Sequence, residues 1–279
     1  MSRNRYPLRR VAAALFLAAL AGCTGMNTTQ SGAIGVNRTQ YMSSMVPSQA
    51  LEQEANQQYA DILKQAQAKN LLDRDAQLVA RVRAISQRLI AQTGVFRPDA
   101  SSWKWEVHVL TSDEVNAWCM PGGKIAVYTG LVNKIKPTDD ELAAVLGHEI
   151  SHALREHARE RVSQQMATNL GLQVLSIATG SSAASDLGGK LSDVMFTLPN
   201  SRTHETEADR MGVELAARAG FDPRAAVTLW QKMGAADNGN APPEILSTHP
   251  SAASRITDLQ AAAQQVLPLY EQSKGRASR

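Results

Sequence analysis

The sequence predicts an α+β fold, mainly helical, with a small antiparallel sheet beside one buried helix. Three observations predict it. Apolar residues recur at the spacing of helix faces through much of the chain. A short alternating stretch and a Pro-Gly-Gly turn interrupt that pattern between residues 103 and 128. The helical run that follows carries His148-Glu149-Ile150-Ser151-His152 and continues to Ala158 with no further glycine or proline.

The elements follow in order. Arg3, Arg5, Arg9 and Arg10 precede an apolar run of small residues from Val11 to Ala21, the layout of a secretory signal and too short to span a bilayer. Leu20-Ala21-Gly22-Cys23 resembles a bacterial lipobox, which implies a signal peptide over 1–22 and acylation of Cys23. Several acyl chains anchor a protein to a membrane stably. Thr24 after the cysteine, rather than Asp, favours the outer membrane by resemblance to lipoprotein sorting. Residues 23–48, rich in Thr, Ser, Asn, Gln and Gly, read as the lipidated cysteine and a flexible tether. Residues 49–267 then form one domain, and 268–279 a polar tail.

Within the domain two helices come first, the second marked by Leu78, Val82, Ile85 and Leu89 and stopped by Gly94. Trp103, Trp105, Val107 and Val109 alternate with Lys104, Glu106, His108 and Leu110, a half-buried strand with His108 on its exposed side. Pro121-Gly122-Gly123 joins strand 115–120 to strand 124–128. After Pro137, Thr138-Asp139-Asp140-Glu141 forms a capping box, and Leu142, Val145, Leu146 and Ile150 give the next helix its apolar face. Between 163 and 200 an apolar helical segment, Leu170 to Ala178, precedes a loop broken by Gly180-Ser181-Ser182 and Gly188-Gly189. A helix opens at Ser201 and runs to Gly220, another follows Asp222-Pro223, and residues 235–248 are loose before a last helix entered at Pro250, with His249 at its cap.

Composition removes some functions. The formal charge of +3 comes from 29 basic and 26 acidic side chains, and loss of the four signal arginines leaves about −1, so nothing favours nucleic-acid binding. Of two cysteines, acylation of Cys23 leaves Cys119 alone, a small packed hydrophobe with no disulfide partner.

The chemistry is in the His-Glu-x-x-His pattern. Residues four apart share a helical face, so His148 and His152 can reach one zinc ion while Glu149 stands beside its open position as a general base. His157, five residues beyond His152, lies about 140° around a continuous helix and reads as solvated. Glu205 and Asp209 share a face of the helix after Ser201. One can bind the metal while the other accepts the second ring N–H of a liganding histidine. Glu207 points about 200° from Glu205 and cannot join them.

With these motifs in hand, the chain resembles the HtpX-like and CAAX-prenyl-protease gluzincins, which pair H-E-x-x-H with a downstream E-x-x-x-D. The resemblance includes Asn116-Ala117 through Pro121-Gly122-Gly123 and Thr248-His249-Pro250 with Arg255 and Ile256, and covers roughly residues 75 to 265. It implies a gluzincin-type zinc peptidase domain holding one zinc ion per chain, in the soluble, lipid-anchored envelope branch. Carried onto this sequence, it makes His148, His152 and Glu205 the metal ligands, Asp209 their hydrogen-bonding support and Glu149 catalytic. It also brings His249 close to the zinc and gives Arg255 a part in binding the developing oxyanion. The strand at Asn116 to Met120 would hold an extended substrate, with Asn116 and Gly122 as binding residues, although Asn116 and the glycines equally suit a mere hairpin.

The expected function is zinc-dependent endopeptidase activity on the periplasmic side of the cell envelope, on unfolded or outer-membrane polypeptides. The rival reading is a non-enzymatic chaperone or assembly factor whose zinc, closed by His249, only staples two helices.

Overall fold

A computed structural model describes residues 23–177, 187–236, 244–249 and 254–277. In chain order the elements are β1 (Cys23–Met26), β2 (Gln40–Ser43), α1 (Ser48–Ala68), α2 (Ala76–Ile90), β3 (Glu106–Leu110), β4 (Ala117–Met120) and β5 (Lys124–Tyr128). There follow α3 (Thr129–Ile135), α4 (Asp139–Leu154), α5 (His157–Ile177), α6 (Leu187–Phe196), α7 (Arg202–Arg218), α8 (Ala225–Ala235), α9 (Glu244–Thr248) and α10 (Arg255–Ala277). The mainly helical α+β class is as the sequence predicts. Among the described residues no helix is long and apolar enough to cross a membrane.

The centre of the fold is α4. Its start is fixed by the capping box: Glu141 N donates to Thr138 Oγ1 at 3.2 Å and Thr138 N to Glu141 Oε2 at 2.8 Å, while three acids in the first turn suit the positive helix end. Every residue from Glu141 to Leu154 is buried, so the helix is enclosed on all sides. α7 starts at the cap Ser201, which accepts from His204 N, and ends before Gly220, whose φ of +78° is the left-handed conformation that closes a helix. α4 and α7 cross backbone on backbone. A Cβ built on Gly147 would lie 2.8 Å from Gly212 O, and one on Gly212 would lie 2.7 Å from His148 N.

The three-stranded sheet has the order β3-β5-β4. β4 and β5 form the expected hairpin, with Gly122 and Gly123 at φ of +79° and +81° in its turn. β3 lies parallel to β5, so the sheet is mixed, and β4 is its outer strand on the side of α4. The strand expected from Trp103 begins only at Glu106: Pro98–Ser102 is a 3₁₀ turn, and the Trp105 indole donates to Ala100 O. His108 is not an exposed decoration. Its Nδ1 lies 2.7 Å from Asp73 Oδ2 and its ring packs 6.1 Å from Tyr59.

Five expectations from local pattern are overturned. α4 does not run on to Ala158; it stops at Arg155–Glu156, where Glu156 takes a φ of +51° and is held by Arg97 at 2.7 Å and Arg159 at 2.8 Å. Residues 24–48 are no free tether. Ile34, Val36, Met42 and Val46 are buried, and Glu214 of α7 accepts from Ala33 N and Ile34 N at 3.0 and 2.8 Å. Gly188-Gly189 do not break a loop but lie in α6, because Leu191 and Val194 are buried against α1 and the sheet. The polar tail from 268 is helical to Ala277, since Leu259, Ala262, Ala263, Val266 and Tyr270 keep a buried stripe on α10. In the stretch expected to be loose, residues 244–248 form α9. The expected signal peptide over 1–22, Gly180-Ser181-Ser182, Asn238-Gly239-Asn240 and Pro250 lie outside the described residues.

The glycine crossing is open to a direct test. Gly212→Ala should cost about 1–3 kcal/mol in denaturant melts by overpacking a backbone contact. Gly234→Ala on α8, where an added Cβ would meet nothing within 4 Å, should be neutral or stabilising by about 0.5–1 kcal/mol. Equal effects at the two positions would show that the crossing tolerates a side chain.

Candidate metal centre

The crossing of α4 and α7, joined by the segment after α9, sets four donor groups against one another. His148 and His152 are one turn apart on α4, with their Nε2 atoms 3.0 Å apart. Glu205, in the first turn of α7, brings Oε1 to 3.3 Å from His152 Nε2 and Oε2 to 3.4 Å from His148 Nε2. His249, directly after α9, places Nδ1 3.0 Å from Glu205 Oε1 and 3.1 Å from His148 Nε2. One ligand atom from each of these four buried residues lies within 4.8 Å of the others. A tetrahedral ion with bonds of about 2.0–2.1 Å needs donors about 3.3–3.4 Å apart, so the spacing suits a metal such as zinc.

The donors themselves fit a cation. Asp209 Oδ1 is 2.9 Å from His148 Nδ1. A carboxylate only accepts, so the ring hydrogen sits on Nδ1 and Nε2 can turn a lone pair into the cluster. Glu205 Oε2 and Glu149 Oε1 are buried without a hydrogen-bond partner. Arg255 Nη1 comes within 3.2 Å of that Glu205 oxygen but is not aligned to donate to it. Burial disfavours a His148 cation, yet Glu205 and Asp209 outweigh it and raise the pKa to about 10. Burial would raise Glu205, but His249 and His148 hold it well below the usual carboxylate range. Glu205 and Asp209 thus favour one positive charge here, a hydrogen on His148 Nε2 or a metal cation in its place, while burial holds His152 well below its ordinary value.

A cleft of about 270 Å³ opens on the cluster, lined among others by Glu149, His152, His249, Trp118, Cys119 and Gly122. Glu149 is buried, and burial pushes its carboxyl up against the opposing pull of His249 and His148. Burial likewise raises the Cys119 thiol, which keeps it protonated and inert. Asn116 is not among the residues lining the cleft, and its Oδ1 accepts from Ala117 N at 2.9 Å at the start of β4. Arg255 faces the two acids of α7. Its Nη2 donates to Asp209 Oδ1 at 2.7 Å and its guanidinium lies 3.3 Å over the Trp230 ring, which places it behind the cluster.

His157 is not solvated. The break at Arg155–Glu156 restarts the helix and swings His157 inward, where its Nδ1 lies 2.7 Å from His152 Nδ1 and its Nε2 3.0 Å from Glu207 Oε2. Burial lowers its pKa to about 3, so the ring is neutral. Burial would raise Glu207, but His157, Arg38 and Arg155 lower it to about 2. Glu207 does face away from Glu205, as helical geometry predicts, but toward buried partners rather than solvent. His204, Glu160, Arg38 and Arg155, and Asn200, whose Nδ2 lies 3.3 Å from His249 Nδ1, were also beyond reach of local pattern. The spacing of His157 beyond His152 was the one visible signal, and it needed knowledge of the helix break.

The chain matches the model of peptidase family M48 over residues 76–263. It is similar to the mitochondrial metalloendopeptidase OMA1 of Bos taurus, 38% identical over 213 residues that cover 72% of this chain and 40% of that protein. Mitochondrial metalloendopeptidase OMA1 of Schizosaccharomyces pombe is 39% identical over 185 residues, 64% of this chain and 51% of that one. The beta-barrel assembly-enhancing protease of Escherichia coli K12 is 32% identical over 214 residues, 71% of this chain and 42% of that one. The chain thus spans about half or less of the length of these curated relatives.

Removal of donors should separate ligands from supports. His148→Ala, His152→Ala and Glu205→Ala should each abolish retention of metal through dialysis, whereas Asp209→Asn should weaken it roughly 10–100-fold. Metal content by elemental analysis reads both, and full retention in Glu205→Ala would remove that carboxylate from the ligand set.

Proposed function

Because this chain belongs to peptidase family M48, we propose that it is a zinc-dependent endopeptidase of the bacterial cell envelope, acting on misfolded or outer-membrane polypeptides. The observation that carries the hydrolytic reading is Glu149: a buried carboxylate with an unpartnered oxygen, lining the cleft beside the donor cluster. A site that only stapled helices would have no use for it. The name of the Escherichia coli relative supports the envelope context, while the mitochondrial relatives show that similar domains serve elsewhere. The periplasmic, outer-membrane placement and the lipid anchor rest on the signal-like N-terminus and the lipobox pattern ending at Cys23.

His148, His152 and Glu205 would hold one zinc ion. The chemistry zinc supplies there is Lewis acidity toward water and toward a carbonyl. Glu149 takes a proton at its free Oε1 from water in the cleft and returns it to the leaving amine. Its raised pKa suits a group that must both accept and release that proton. β4, beside the cleft, has no strand paired to its outer edge among the described residues and offers that edge to an extended polypeptide, with Gly122 in the cleft wall against Glu52. Asp209 and Arg255 keep the His148 ring in the orientation that presents Nε2.

His249 favours a second reading as well. Its Nδ1 lies among the other donors and its Nε2 is 3.6 Å from Glu149 Oε1, so it can take the fourth position and close the site, as a resting latch or as the fourth ligand of a structural zinc in a chaperone.

Casein cleavage and zinc content on purified protein distinguish these. Glu149→Gln should abolish cleavage and keep zinc; persistent cleavage would end the assignment of Glu149 as the base. His249→Ala should keep zinc and raise cleavage if it is a latch. Lost zinc in His249→Ala, with no cleavage by wild type, would point to the structural site instead.

A further inference from the structure

The second ring nitrogen of His152 opens onto a buried ionic cluster that the reaction itself does not use. Glu207 accepts from Arg38 Nε and Nη2 at 2.8 and 3.0 Å and from Arg155 Nη2 at 3.0 Å, and it faces His157 Nε2 at 3.0 Å. Since a carboxylate cannot donate, and Glu207 is already flanked by the cations of Arg38 and Arg155, His157 carries its ring hydrogen on Nε2 toward Glu207, and its Nδ1 is left as an acceptor. The 2.7 Å contact between His157 Nδ1 and His152 Nδ1 then requires the hydrogen on His152. His152 Nε2 is thereby left bare, facing His148 and Glu205. The His157 ring is fixed from a second side by stacking on His204, at 4.3 Å and 17°, whose Nε2 donates to Glu160 Oε2 at 3.0 Å. Arg38 closes the ring of contacts by donating to both Glu160 oxygens at 2.8 Å.

Arg38 comes from the N-terminal segment, which docks on this cluster at further points. Arg155, wholly buried, donates to Thr29 Oγ1 at 3.1 Å and Arg38 O at 2.9 Å, and Gln40 donates to Arg155 O and to Glu160 Oε2. We propose that His157 is a positioning residue for the metal centre, fixing the tautomer and orientation of His152, and that Arg38 of the N-terminal segment is the clamp that holds the His157–Glu207 pair in place. The inference rests on the zinc site proposed above, and makes residues 29–40 part of that site's support.

The test uses the full chain. Zinc affinity is measured by competition with a chromophoric chelator for wild type, His157→Phe, His157→Gln and Arg38→Met, with thermal melts of each metal-free protein. His157→Phe should bind zinc roughly 10–100-fold more weakly. His157→Gln, whose amide oxygen can accept from His152 Nδ1–H while its NH₂ donates to Glu207, should recover most of that loss. Arg38→Met, with every ring intact, should also weaken binding. A lowered melting temperature with wild-type zinc affinity in both His157→Phe and Arg38→Met would reduce the cluster to packing and overturn the proposal. If His157→Phe does not fold, Arg38→Met, altered at a side chain 31% exposed, decides alone. Wild type that binds no zinc would overturn the metal-site reading and this inference together, whereas zinc-loaded wild type with unaffected variants would overturn this inference only.

Discussion

Everything at the candidate metal centre depends on two polypeptide backbones touching. Gly147 and Gly212 let α4 and α7 meet without intervening side chains, and three of the four donors sit within about two turns of that contact: His148 directly beside it, His152 one turn on and Glu205 along α7, with Asp209, the partner of His148, between Glu205 and the crossing. Donors separated by 3.0 to 3.4 Å leave no slack for helices pushed apart by even one methyl group. The apolar residues around the crossing supply the force that presses the helices together, and the glycines decide how close they come.

The second constraint is electrostatic. A cluster of buried acids and imidazoles is costly to enclose unless each charge has a partner. The fold meets this by giving each liganding imidazole its own acceptor. His148 leans on Asp209, itself held by Arg255 over Trp230, and His152 leans on His157 and Glu207, held by Arg38 and Arg155. One support comes from the C-terminal helix and the other from the N-terminal segment, so both ends of the described chain converge on two adjacent rings.

Much of this was legible in the residues. The capping box at Thr138, the i and i+4 histidines, the i and i+4 acids and the two-glycine turn are local signals, and each places its element correctly because each states its own hydrogen bonding. The parts that were not legible depend on distant partners. Glu156 is forced into a left-handed turn by Arg97 and Arg159, with no glycine to announce it, and that single residue turns His157 from solvent to interior. The polar composition of residues 24–48 hides four apolar anchors and a buried acceptor, Glu214, that lies far along the chain. The glycine pair also escaped notice, since neither glycine breaks its helix.

The hairpin at the start of the described chain changes how an attached lipid would act. A coil of 25 residues would let a domain wander about 25–30 Å from the bilayer. Here Cys23 pairs with Ser43 in β1–β2, and Gln40, at the other end of β2, is hydrogen-bonded to Arg155 at the C-terminal end of α4. An acyl group on Cys23 would therefore act as a short mooring instead of a long leash, holding the cleft close to the surface in which that group is embedded.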